Sequence, residues 1–163
     1  TIPKRNFYAD VARCLVDSLL AHHPHANILL MGDFNDYPTD ESMEHHLRAQ
    51  NPLKSAALAD DTLFNLMYHF MAQNNVGSHK HEDFWGCLDQ LIVTGRLLNG
   101  QGRLQIASNV PHIFNDSFLL VPDEKYGGVK NYRTYSGPRY IGGFADHLPV
   151  YVRIVTSTKR ENQ

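Results

Sequence analysis

Three short stretches of this chain set acids, an amide and a histidine where apolar strands should begin or end. "MGDFND" (31–36) follows the apolar residues Ile28, Leu29 and Leu30. Asp89 interrupts "WGCLDQLIV" (85–93), with apolar residues on both sides, and Asp146 and His147 open "DHLPVYVRIV" (146–155). Each has a plain explanation alone. Gly, Asn and Asp gather in turns for backbone reasons, and a carboxylate in an apolar strand is tolerated if something hydrogen-bonds it. Together they make a chemical kit. Carboxylate and amide oxygens suit a hard cation such as Mg²⁺. A histidine held by a second carboxylate is kept protonated, or in one tautomer, to face an anionic oxygen. Metal-assisted attack of water on phosphorus uses these parts, with catalysis coming mostly from positioning and charge neutralisation.

Such a kit needs elements that end in the right places. From Pro3 to Ala21, the residues Phe7, Val11, Cys14, Leu15 and Leu19 share one helical face, with a proline near the start. "HHPH" (22–25) ends that helix, because the residue before a proline disfavours helical geometry. The short apolar run 27–31 predicts a strand covered on both faces. Thr39 is placed to cap a second helix over 40–49, with Asp40, Glu41 and Glu44 at its positive end. A third helix is predicted over 61–72 from Leu63, Leu66, Met67, Phe70 and Met71. Beyond Gln73 the chain reads as extended. It predicts a strand near 88–93, short strands in "RLQIASNV" and "SFLLV", and a last strand alternating Val150, Val152 and Ile154 with Tyr151 and Arg153. The stretch 126–143 fits neither period and reads as a long loop, which in a compact domain tends to be functional or flexible. Leading helices and following strands predict a layered α/β domain.

Composition removes several classes of function. A chain of 163 residues makes one domain with a real core. With 42% apolar and 20% charged residues it is not a disordered chain. A net charge of −2 gives no global attraction to nucleic acid or an anionic membrane, so any such affinity must be local. No apolar run approaches the ~20 residues that span a bilayer. Cys14 and Cys87 allow at most one bridge and have no metal or redox spacing. None of the histidines at 22, 23, 25, 45, 46, 79 and 81 has zinc spacing, and all are assigned to solvated surface. Met31, Met67 and Met71 read as core fillers, and Trp85 as core. The chain starts at Thr1 without a methionine or signal-like segment and reads as a trimmed piece, so localisation is not legible.

The three motifs resemble those of the endonuclease/exonuclease/phosphatase superfamily, which includes DNase I-like nucleases, abasic-site endonucleases, neutral sphingomyelinases and inositol-polyphosphate 5-phosphatases. "MGDFND" is similar to its strand-end Gly-Asp-Phe-Asn motif, and "LDQLIV" to its Asp-bearing strand. "ADHLPV" is similar to its closing Ser-Asp-His-x-Pro motif, with Ala145 in place of the serine. The order matches as well. The resemblance implies a divalent-metal-dependent phosphoesterase that hydrolyses a phosphodiester or phosphomonoester. Asp33 would orient or deprotonate the attacking water, or hold a metal through it, and Asn35 would contact the phosphate or the metal. Asp146 would help hold Mg²⁺ or Mn²⁺, His147 would stabilise charge on the pentacovalent phosphorus, and Asp89 would orient His147. No role follows for Asp36, for which turn chemistry suffices.

The likeness covers nearly all of this chain but only the C-terminal half of the family's domain. It implies half of a four-layer α/β/β/α sandwich over 1–155, with a mixed sheet and flanking helices, then a polar tail over 156–163. The preceding half, with its strand-end glutamate, would be the missing partner. The piece alone is expected to be inactive, to hold metal weakly or not at all, and to expose a sheet face that could pair with a second copy. Asp89 and Asp146 stand 57 residues apart, longer than in compact nucleases of the family. In that span the basic residues Lys125, Lys130, Arg133 and Arg139 interleave with tyrosines, as on single-stranded nucleic-acid platforms. Lipid headgroups or sugar phosphates would suit it equally. Arg133 and Tyr135 are the candidate substrate contacts there. The rival reading is a binding module that uses 126–144 to hold a phosphorylated ligand or partner without turnover.

Overall fold

Every residue of strand β5 (Asp89–Thr94) is buried, and the remaining elements are arranged around it. The computed structural model describes residues 1–156; the tail from 157 onward lies outside the described residues. β5 pairs antiparallel with β1 (Leu29–Asp33) on one edge and β2 (Leu63–Asn65) on the other. On one face of this sheet Leu91 and Val93 pack with Phe64, Leu66, Met67, Phe70 and Leu97. On the other, Ile92 and Leu63 meet Ala9, Val16 and Leu20 of helix α1 (Ile2–His22) and Met43 and Leu47 around the π-helical turn Ser42–His46. Gln90 is buried within β5 and fully used. It accepts from Asn65 Nδ2 (2.8 Å) and donates to the carbonyls of Asp36 (2.7 Å) and Cys87 (2.8 Å), so no polar group is stranded there.

The other strands form two-stranded antiparallel ladders. These are β3 (His79–His81) with β4 (Phe84–Gly86), β6 (Leu104–Ile106) with β13 (Ile154–Thr156), and β7 (His112–Ile113) with β12 (Val150–Tyr151). β8 (Leu120–Pro122) pairs with β9 (Val129–Asn131), and β10 (Tyr135–Ser136) with β11 (Arg139–Tyr140). The protein is α/β, as predicted, but its sheet is not mixed. Among the described residues parallel pairing is confined to one isolated bridge, Gln50 to Phe64.

Several local expectations change. The helix predicted over 61–72 is β2 followed by a single turn, α2 (Tyr68–Met71). Asn65 causes the break: its side chain accepts the Met67 N–H (3.0 Å) while donating to Gln90, which closes a turn where a helix would continue. The helix expected over 40–49 shortens to the π turn, closed by Leu47 N–H to Ser42 O (2.8 Å), and Thr39 does not cap it. The stretch 126–143 contains β9, β10 and β11, and Ser117–Leu119 is a 3₁₀ turn. β1 is covered on both faces at its start, where Leu29 and Leu30 are half-buried against the two core clusters, but not at its end, where Met31 is exposed; Met71 is exposed as well. The apolar stripe of α1 faces outward, with Phe7 61% and Leu15 64% exposed, while Ala9, Val16 and Leu20 form its buried side. Both cysteines are free; burial and the nearby Asp89 charge push the Cys87 thiol up to about 11.

The segment 123–131 is bolted to β3. Lys80 Nζ reaches Asp123 Oδ2 (3.0 Å) and Gly127 O (2.7 Å), with both charged side chains buried. Asn131 accepts the Lys80 N–H (3.0 Å) and donates to Ser78 O (3.0 Å). The Lys80 ammonium, helped by two backbone N–H groups, holds the Asp123 carboxyl at about 2. Lys80→Met leaves that buried carboxylate with only Lys130 at 3.5 Å and two backbone N–H groups. We expect a lower Tm and new proteolytic cleavage between residues 123 and 131, read by mass spectrometry of a limited digest.

Candidate active site

The register of β1 against β5 places Asp33 directly opposite Asp89. Pairing continues one step further, through Phe34 N–H to Leu88 O (3.0 Å), and then the chain turns sharply. Asn35 makes that turn with φ 54°, a conformation asparagine accepts more readily than most residues. Its N–H and its side-chain NH₂ both donate to Asp33, to Oδ1 (2.8 Å) and Oδ2 (3.2 Å). The Asx turn is therefore real. It also fixes the Asp33 carboxylate at the strand end and leaves the Asn35 amide oxygen as that group's acceptor.

His147 reaches the same end from the other side of the sequence. Its Nδ1 is 2.7 Å from Asp89 Oδ2, and its Nε2 is 4.0 Å from Asp33 Oδ2. The Asp89–His147 pair matches the predicted orientation. Ser78 Oγ donates to the same Asp89 oxygen, while Ser78 O accepts the Leu148 N–H (2.7 Å). One buried serine thus sets both the acid and the residue after the histidine. Burial pushes the Asp89 pKa up, but hydrogen bonds from His147 and Ser78 outweigh it, and the net shift is downward. An ionised carboxylate only accepts, so Nδ1 carries a proton. The hydrogen bond to Asp89, with the charges of Asp89, Asp33 and Asp146, raises the His147 pKa against the opposing effect of burial.

His79 is a correction: it is not solvated surface. It is half-buried, its ring stacks on His147 with centroids 4.5 Å apart at 33°, and its Nε2 accepts from Arg133 (2.9 Å). Burial first, then the positive His147 and Arg133, lowers its pKa. The site therefore holds one imidazole biased toward the cation and a neighbour biased toward neutrality. Arg133 is brought to the site through His79. Tyr135 is not: it is exposed on the β10–β11 hairpin against Tyr140. Asp146 is exposed next to His147, and its charge acts on both imidazoles. Asp36 does more than turn. It is buried, 2.7 Å from Arg5 Nε and 2.5 Å from Ser42 Oγ, and ties α1 and the π turn to the end of β1.

Sequence reasoning missed Ser78 and His79. The one signal available was the alternation in "SHKH" (78–81), where Ser78 and Lys80 are buried and His79 and His81 are not. Ser78→Ala removes a hydrogen bond to a charged group, worth about 1.5–3 kcal/mol. The expected result is a kcat about tenfold lower with KM little changed, measured by steady-state kinetics.

A sequence profile of the endonuclease/exonuclease/phosphatase family matches residues 1–156. The chain belongs to that family. No curated protein and no solved structure matches it. Family members use divalent metals and act on phosphate esters. The carboxylates of Asp33 and Asp146 and the Asn35 amide carry oxygens of the hard-cation kind. Among the described residues, however, no three His, Cys, Asp or Glu side chains cluster closely enough to hold an ion. In donor type these residues suit Mg²⁺ or Mn²⁺. Among the described residues, no helix is long and apolar enough to cross a membrane.

Proposed function

We propose that the protein is a metal-dependent phosphoesterase whose reacting phosphorus is faced by both Asp33 and His147. The observation that carries this reading is the Asp89–His147–Asp33 line, in which a histidine oriented from behind by one carboxylate turns its Nε2 toward another. Asp33 orients the attacking water. His147, kept cationic by Asp89, donates Nε2–H to a phosphoryl oxygen as charge builds there. Asn35 and Asp146 would hold Mg²⁺ or Mn²⁺ together with Asp33. A bound cation neutralises charge on the phosphate and acidifies water. Arg133, behind His79, meets a further phosphate oxygen. The O–P bond to water forms as the P–O ester bond breaks, and the electron pair leaves with the ester oxygen.

Residues 1–155 are, in this reading, the C-terminal half of a four-layer sandwich. The outward stripe of α1, the open edge of β1 and Met31 (59% exposed) support it, since a monomer rarely leaves such a surface uncovered. A cleft of about 510 Å³ lined by Arg5, Tyr8, Asp33 and Asn35 joins that surface to the site. The missing half would complete both. The test is hydrolysis of bis-p-nitrophenyl phosphate, nicked DNA, sphingomyelin and inositol phosphates by the longest natural form and by this chain, with and without EDTA. Turnover by the longer form, abolished by EDTA and restored by Mg²⁺ or Mn²⁺, is the expected result. Ligand binding without metal or hydrolysis would leave a binding module instead, and activity of the isolated 163-residue chain would overturn the half-domain reading.

A further inference from the structure

A missing side chain at Gly86 opens a cavity beside the candidate active site. The β3–β4 ladder pairs His79 with Gly86 and His81 with Phe84, so these four residues share one face of the hairpin. Three of them present rings and the fourth presents nothing. The Tyr37 hydroxyl lies over that gap. A Cβ placed on Gly86 would stand 2.6 Å from it, and its three nearest atoms would all belong to that tyrosine. The cavity measures about 270 Å³ and is lined by Tyr37, His79, His81, Phe84, Gly86 and Leu88. Its walls grow out of the site. His79 stacks on His147, Leu88 precedes Asp89 and accepts the Phe34 N–H (3.0 Å), and Tyr37 follows Asn35 by two residues. Among the described residues, no Asp, Glu, Lys or Arg lines it.

We propose that this cavity receives an uncharged flat ring carried by the phosphate ester, an aryl group or a nucleobase, and so selects the substrate. The proposal rests on the phosphoesterase reading, since His79 and Leu88 set the cavity beside the phosphorus that His147 faces. Rings pack on the edges and faces of other rings, and a cavity near the small end for ligand sites admits one ring system. An inositol would bring more hydroxyls than the Tyr37 hydroxyl and two imidazoles can satisfy, and each one left over is costly. A quaternary ammonium headgroup also suits aromatic walls, but cations already stand here. Burial first, then the positive His147 and Arg133, lowers the His79 pKa against the pull of Asp146. A further positive charge beside His79 meets the same repulsion.

Phosphonates, which are not hydrolysed, test the proposal by isothermal titration of the full-length protein in Mg²⁺. The probes are methylphosphonate, phenylphosphonate, cyclohexylphosphonate, a trimethylammonioethyl phosphonate and a thymidine 5′-phosphonate. A flat ring should bind about tenfold or more tighter than methylphosphonate, the factor expected for burying one ring, and tighter than the puckered or cationic groups. Gly86→Ala, which fills the cavity, should abolish this preference and leave methylphosphonate binding unchanged. Phe84→Ala should weaken it and Phe84→Tyr retain it. Tyr37→Phe should weaken the thymidine probe, whose ring edge carries hydrogen-bonding groups, and spare phenylphosphonate. The tighter of those two probes assigns the ring to a nucleotide or to an aryl ester. Melting temperatures, matched to wild type, separate these effects from misfolding. Equal affinity for flat and puckered rings, preference for the ammonium probe, or a ring preference that survives Gly86→Ala would each overturn the proposal. Hydrolysis of bis-p-nitrophenyl phosphate, run in parallel, separates the two claims. Turnover without ring preference sinks the cavity's role alone. Ring preference without turnover sinks the phosphoesterase reading alone, and no binding by any phosphonate sinks both.

Discussion

Replacing His147 with alanine is expected to lower kcat/KM toward a phosphodiester by about a thousandfold, within the range for losing a positioned acid–base group and a charge-stabilising donor. The change also leaves the buried Asp89 without its imidazole partner, so Tm should fall and rates are compared well below the melting temperature of the variant. The pH profile should report the same group. The Asp89 hydrogen bond raises the His147 pKa, and activity that needs the cation falls as pH climbs through that raised value. Asp89→Asn removes the stabilising charge and should move the alkaline limb to lower pH. Stability follows the same pair. The His147 contribution is complete below the ordinary imidazole value of 6.5 and is lost as pH rises through the raised one. The Asp89 contribution is complete above the ordinary carboxyl value of 3.8 and is lost as pH falls through the depressed one. The pair therefore stabilises most between 3.8 and 6.5. His79, held neutral by burial, works the other way: its contribution is complete only above 6.5 and declines below it. Urea titrations of wild type and Asp89→Asn across this range measure the difference.

Asp33→Ala should cost a comparable factor, about a thousandfold in kcat, because it removes both the group that orients the attacking water and one proposed holder of the cation. Asp33→Asn is the sharper variant. Its amide oxygen still accepts the Asn35 N–H, so the turn keeps its shape while the charge is lost. If Asp33 serves only the turn, Asp33→Asn stays active. If the carboxylate is needed, both variants fail together. Single-turnover kinetics at saturating substrate distinguish these outcomes.

The acids and the histidine were legible because each belongs to a short local motif. Asp33 and Asn35 follow an apolar run, Asp89 interrupts one, and His147 opens one. Their convergence was legible only as an implication of the family resemblance, and the β1–β5 register supplies its cause. Ser78 and His79 were not legible. A serine and a histidine in a short polar strand look like surface until Asp89, His147 and Arg133 arrive from up to 68 residues away. The segment 61–66 misled because leucine and phenylalanine buried on both faces of a strand give no period-2 signal, while Leu66, Met67, Phe70 and Met71 happen to fall at helical spacing from Leu63. The periodicity of α1 located its apolar stripe correctly. It could not reveal that the stripe faces away from this chain's own core, because periodicity reports a face and not what covers it.

The carbonyl of Ser78 accepts both Leu148 N–H and Asn131 Nδ2–H, while its hydroxyl binds Asp89. That convergence sets the order in which the chain becomes a site. The bonds from Asn131 and Leu148 close long loops, and loop-closing contacts of high sequence separation form late and slowly. During synthesis, the β1–β5 scaffold has left the ribosome while residues 131 and 148 are still to come. Until they arrive, Asp89 is an acid in an apolar strand with one partner in place. The nascent chain therefore passes through a folded-looking but chemically inert stage, and a product that stops short of Leu148 remains there permanently.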